Sequence, residues 1–152
     1  MTLALMIFVK SRKEASTMNG GFLLVSKHTE THIVILAAGK GSRMKSSIPK
    51  VMHKLAGEPL LSHVLKTTAT IPQARKTVVV GEGKDYIMQH FESSPLARDI
   101  RFVYQAEQLG TAHALKVAIS DINEDSRVLV LFGDVPLIDP ETIRRMLDLL
   151  ES

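Results

Sequence analysis

The sequence predicts an α/β protein built on a doubly wound, mostly parallel sheet with helices on both faces, a Rossmann-like arrangement. Three observations predict it. Short apolar runs at residues 33–36 and 128–132 lack polar alternation, as strands buried on both faces do. Segments with apolar residues at helical spacing fall between such runs, so strand and helix alternate. Connections are short, and glycine follows three of the four strands, where the chain must turn.

Taken in order, residues 1–30 read as a flexible amino-terminal extension and residues 31–152 as the nucleotide-binding part of a domain. The extension carries an apolar run at residues 3–9 ahead of Lys10, Arg12 and Lys13, the reverse of the charge order in a secretory signal. Gly20 and Gly21 suggest a flexible joint, and Met18 an alternative start. The first strand covers residues 32–36. Gly57, Glu58 and Pro59 form a turn into a helix, with Pro59 in the first helical turn, where its missing N–H costs nothing. Leu60, Leu61, Val64 and Leu65 face the sheet from that helix.

Residues 77–80 are the second strand, and Tyr86, Ile87, His90 and Phe91 mark the next helix. Residues 100–104 form the third strand. Thr111 then caps a helix bearing Ala114, Leu115, Ala118 and Ile119. The wholly apolar run 128–132 reads as a central strand. Asp139 caps the last helix, Pro140 opens it, and Ile143, Met146, Leu147 and Leu150 form its apolar face.

Ligands of such sheets bind beyond the carboxyl ends of the strands, so the loops after Leu36, Tyr104 and Phe132 should converge on one cleft. The first loop pairs Gly39 and Gly41 with Arg43 and Lys50, a set suited to a phosphate chain; the plainer reading is a βα turn. A dinucleotide fingerprint would need glycine where Met44 stands, and the Walker pattern has no match. In the second loop, Gln105 can present both donor and acceptor to a pyrimidine edge, with Gly110 and Thr111 near a ligand. An ordinary polar loop is the alternative there, and His113 reads as a packing or surface residue. Asp134, after the fourth strand, suits a Mg²⁺ ion or simply caps its turn.

Composition narrows the classes. A net charge of +3 without a dense Lys/Arg stripe does not argue for a nucleic-acid surface. The absence of cysteine removes disulfides, thiolate metal sites and a cysteine nucleophile, and it is compatible with a reducing cytosol. No apolar run approaches the roughly 20 residues of a membrane span.

The pattern Leu-Ala-Ala-Gly-x-Gly-Ser-Arg-Met at residues 36–44, followed by Pro49 and Lys50, resembles the signature of the sugar-nucleotide pyrophosphorylases, with Ser42 where Thr is common. Gln-Ala-Glu-Gln-Leu-Gly-Thr at residues 105–111 and Gly-Asp-Val-Pro-Leu-Ile at 133–138 narrow the likeness. Over about residues 32–150 the chain resembles the amino-terminal pyrophosphorylase domain of the bacterial bifunctional N-acetylglucosamine-1-phosphate uridyltransferase / glucosamine-1-phosphate acetyltransferase family.

That resemblance implies a cytoplasmic, Mg²⁺-dependent nucleotidyltransferase of cell-wall precursor synthesis, converting UTP and N-acetylglucosamine 1-phosphate to UDP-N-acetylglucosamine and pyrophosphate. It implies that Leu36, Ala37, Ala38 and Gly39 hold the nucleotide and Lys50 a phosphate. Gln105, Gly110 and Thr111 would read uracil. Phe132, where Tyr is common, would line the sugar-nucleotide cleft with Gly133 and Asp134, Asp134 also holding the metal. Arg43 would act with Lys50 in catalysis, on the departing pyrophosphate. In that family a sugar-binding half and a β-helix follow, so a second chain supplying them, or a nucleotide-binding part without turnover of its own, is the companion expectation.

Overall fold

The computed structural model describes residues 30–39, 41, 46–120, 122–123 and 126–148. The readings placed on the extension, on Arg43 and on Leu150 lie outside the described residues.

Strand β1, Thr31–Ala37, is buried along its whole length, as its unbroken apolar run requires. It lies between β4, Ala74–Val80, and β6, Arg127–Phe132; β5, Ile100–Tyr104, adds to the far side of β4. All three pairings are parallel, in the order β5-β4-β1-β6. The register sets Ala37 beside Val80, Leu36 beside Phe132 and Val80 beside Tyr104, so all four carboxyl ends reach one level.

Alternate residues of the strands feed two cores. On one face Ile33, Ile35, Val78, Val80, Leu129 and Leu131 meet three helices: α1 (Leu60–Ala69), α2 (Lys84–Phe91) and α4 (Pro140–Asp148). On the other face Val34, Leu36, Val79, Val128 and Val130 meet α3, Thr111–Ile119, through Ala114, Leu115 and Ala118. Helices on both faces of a parallel sheet make the doubly wound α/β fold. Leu61, Val64, Ile87 and Ile143 are fully buried, and each contributes roughly 1.5–3 kcal/mol of transfer free energy.

Several expectations need correction. Run 128–132 is apolar because both faces of β6 are covered, but among the described residues β6 has a strand neighbour on one side only, so within them it stands at the edge of the sheet rather than at its centre. Pro59 is the cap residue before α1, outside the first helical turn. It closes a hairpin, β2 (Lys54–Leu55) with β3 (Glu58–Pro59), whose turn residues Ala56 and Gly57 both have positive φ. Gly110, not Thr111, occupies the cap position of α3, and no side chain caps that helix. Tyr86 and His90 are exposed, leaving Ile87 and Phe91 to anchor α2. Asp139 does cap α4, accepting from the N–H groups of Glu141 and Thr142 at 2.7 and 3.3 Å.

Candidate functional site

The β1–β6 and β4–β5 ladders run one residue past the strands. Gly133 N–H donates to Leu36 O at 2.9 Å, and Gln105 N–H donates to Val80 O at 2.8 Å. The first residue of each following loop is therefore held by the sheet. Above these ends opens a cleft of about 240 Å³, lined by Leu36, Ala37, Ala38 and Gly39 after β1, Lys50 and Val51, Gln105 to Ala114 in part, and Phe132 with Asp134. It sits where α3 crosses to the opposite face from the other helices, the switch point at which open α/β sheets bind ligands.

The structure thus brings together Leu36, Ala37, Ala38, Gly39, Lys50, Gln105, Gly110, Thr111, Phe132 and Asp134 on one cleft. Gly133 is not on its surface. It lies buried behind the wall, where an added Cβ would come within 3.3 Å of Ala37, Leu36 O and Val51. Val51, Gln108 and Ala114 also line the cleft, though sequence reasoning did not single them out. Gln108 was legible only as part of a polar loop. Its amide nitrogen would be 2.7 Å, and Ala38 O 2.6 Å, from a Cβ at Gly81, so glycine there admits both loops.

Lys50 opens a single 3₁₀ turn, Lys50–Met52, whose Val51 and Met52 are buried. Those two anchors set the lysine stem on the cleft wall while its ammonium reaches across to pair with the Asp134 carboxylate. Both side chains stay partly exposed, at 44% and 26%. The turn that carries Asp134 is closed by its backbone, Val135 N–H donating to Phe132 O at 3.3 Å, and the carboxylate itself points at a cation.

A divalent ion would meet one carboxylate here, that of Asp134. Among the described residues no group of three or more His, Cys, Asp or Glu side chains is gathered for a metal. One carboxylate completed by phosphate oxygens and water is nevertheless an ordinary Mg²⁺ donor set. Asp134 fits such a shared site, in exchange for Lys50.

Gln105 is buried and turned inward. Its Nε2 donates to Gly110 O at 3.4 Å and lies 3.0 Å from His113 Nδ1. Both contacts of the amide nitrogen lie within its own loop. His113 is half-buried, with Nδ1 beside the Gln105 amide.

A parallel α/β domain whose cleft beyond the strand ends holds a lysine, two glutamine amides and a carboxylate is an architecture suited to nucleotidyl transfer. The chain belongs to the MobA-like NTP transferase domain family, whose model matches residues 33–152. It is 49% identical over 117 residues to the bifunctional protein GlmU of Burkholderia ambifaria, which is 77% of this chain and 25% of that protein. The chain thus spans about a quarter of the length of the curated relatives it matches. Among solved structures, HddC of Yersinia pseudotuberculosis, crystallised with GMP-PN, superposes with a TM-score of 0.60 at 28% identity, over 78% of this chain and 55% of that one. The 4-diphosphocytidyl-2C-methyl-D-erythritol synthase of Anaerococcus prevotii shares the fold at a TM-score of 0.65 and 20% identity, over 82% and 52% of the two chains.

Proposed function

We propose that this chain is the nucleotide-binding part of a uridylyltransferase that joins UTP to N-acetylglucosamine 1-phosphate, giving UDP-N-acetylglucosamine and pyrophosphate. The observation that carries the reading is the meeting of three loops in one cleft, which Lys50, Gln105 and Asp134 all line. The likeness to GlmU along 77% of the chain supports the choice of substrates.

In this mechanism a phosphate oxygen of the sugar phosphate attacks the α-phosphorus of UTP. The bond from that phosphorus to the bridging oxygen breaks, and the electron pair leaves with pyrophosphate. The residues mainly position and neutralise, since in-line transfer asks little else of a protein. Leu36, Ala37, Ala38 and Gly39 form the floor under the nucleoside and phosphates. Lys50 turns from Asp134 to a phosphate oxygen. Gln105, Gly110 and Thr111 border the base, and Phe132 keeps an aromatic ring at the cleft. Arg43, outside the described residues, is assigned to the departing pyrophosphate by the sequence resemblance alone. Asp134 would hold a Mg²⁺ ion, which when bound offsets charge on the phosphates.

Calorimetric titration with UTP and ATP in magnesium buffer tests the reading. UTP should bind more tightly, and equal affinities would overturn the assignment of the Gln105 loop to the base. Pyrophosphate release on adding N-acetylglucosamine 1-phosphate then reads whether these residues suffice for turnover or act with a partner chain.

A further inference from the structure

We propose that His113 is a positioning residue for base recognition: it locks the Gln105 amide so that the carbonyl oxygen, Oε1, is what the cleft offers a base. The proposal rests on the uridine reading above and goes beyond it by accounting for discrimination between pyrimidines.

Three atoms fix the arrangement. Gly110 O is a carbonyl and can only accept, and the Gln105 amide nitrogen faces it at 3.4 Å, a long donor-to-acceptor contact. That same nitrogen lies 3.0 Å from His113 Nδ1. An N–H facing Nδ1 requires a bare lone pair there, so the imidazole proton sits on Nε2. With both amide hydrogens directed into the loop, Oε1 remains for a ligand in the cleft that Gln105 lines.

An acceptor at this position selects by ring chemistry. Uracil carries an imino N–H at N3 and completes a hydrogen bond to Oε1. Cytosine carries a lone pair at N3, which would face Oε1 unpaired. A site built to receive an N–H rejects the analogue that lacks it, because a buried polar atom is left without a partner. Gln105 alone does not secure this, since a free amide rotates and offers Nε2 to cytosine. His113 removes that freedom, and it does so from the first turn of α3, whose start is set by Gly110.

The test measures UTP and CTP affinities of the whole chain by calorimetry, together with the histidine side-chain ¹⁵N spectrum. The unaltered chain should favour UTP, with Nδ1 of His113 unprotonated. His113→Leu removes the acceptor and should cut the UTP-to-CTP ratio by roughly tenfold, the worth of about one hydrogen bond. His113→Asn, whose Oδ1 can stand near the place of Nδ1, should restore the ratio. A His113→Leu variant that keeps the full preference, or an imidazole carrying its proton on Nδ1, overturns the proposal while leaving the uridine reading intact. Equal UTP and CTP affinities in the unaltered chain overturn both. If His113→Leu does not fold, the tautomer and the Asn variant still decide.

Discussion

Gln105 is only 3% exposed, yet it borders the cleft, so any ligand that pairs with it does so away from bulk water. Gln105→Ala should therefore weaken UTP binding by roughly 1–3 kcal/mol if a base contact is left unpaired, read by calorimetry against uridine and UTP. His32 makes a separate residue-scale prediction. It is buried with Nε2 2.8 Å from Thr77 Oγ1, and burial pushes its pKa below 6.5, Arg75 and Arg101 adding to the shift and Glu30 opposing it. Below that value the unfolded chain takes up a proton that the folded chain refuses, so stability rises with pH through this window. Melting temperature should fall from neutral pH to about pH 5, and His32→Gln should flatten the profile. A variant with an unchanged profile would exonerate His32. Single residues of the cleft were legible because glycine turns, a lysine and a carboxylate after buried strands are rare together. The roles of His113 and of the Gln105 donor were not, since both depend on one hydrogen bond across eight residues of loop.

At the scale of elements, two glycines of the cleft separate folding from binding. Gly110 has φ +96° and ψ −178°, a region that side chains scarcely enter, although a Cβ there would meet nothing within 4 Å. Gly110→Ala should cost about 1–3 kcal/mol of stability through backbone strain alone, measured by denaturant unfolding. Gly39 needs no such conformation and its Cβ would also stand in open space. Gly39→Ala should melt like the unaltered chain yet bind UTP more weakly, because it adds a methyl group to backbone that lines the cleft. Normal binding by that variant would mean that no ligand approaches this backbone. The elements that periodicity could find were found, with boundaries that moved by a few residues at most. The hairpin at residues 54–59 escaped notice because its strands are two residues each and Ala56, at φ +50°, is not a residue that announces a turn. The Thr111 hydroxyl fits a cap in the sequence, whereas the backbone at Gly110 sets the helix start.

For the whole molecule, strand order is a long-range property, and hydrophobicity reports only that both faces of a strand are covered. That is why β6 read as central although it pairs on one side among the described residues. The convergence of the loops was legible, because a parallel sheet admits few alternatives once its crossovers are right-handed. No helix of the described residues is long and apolar enough to cross a membrane. Lys50 and Asp134 belong to different loops and answer one another's charge across the cleft. A phosphate that draws the lysine away frees the carboxylate, and a cation that takes the carboxylate frees the lysine. On the proposed reading nucleotide and divalent cation are reciprocal effectors, each raising the other's affinity by the same factor. Asp134→Asn should then change sign with the medium. In chelator the variant should bind UTP up to a few-fold more tightly, since a partly exposed pair is worth about 0.2–1 kcal/mol; in magnesium it should bind more weakly. Calorimetry in the two buffers reads this directly, and a shift of the same sign in both would mean that the two groups act independently. One carboxylate would thus compete with the nucleotide in one ionic medium and recruit it in another.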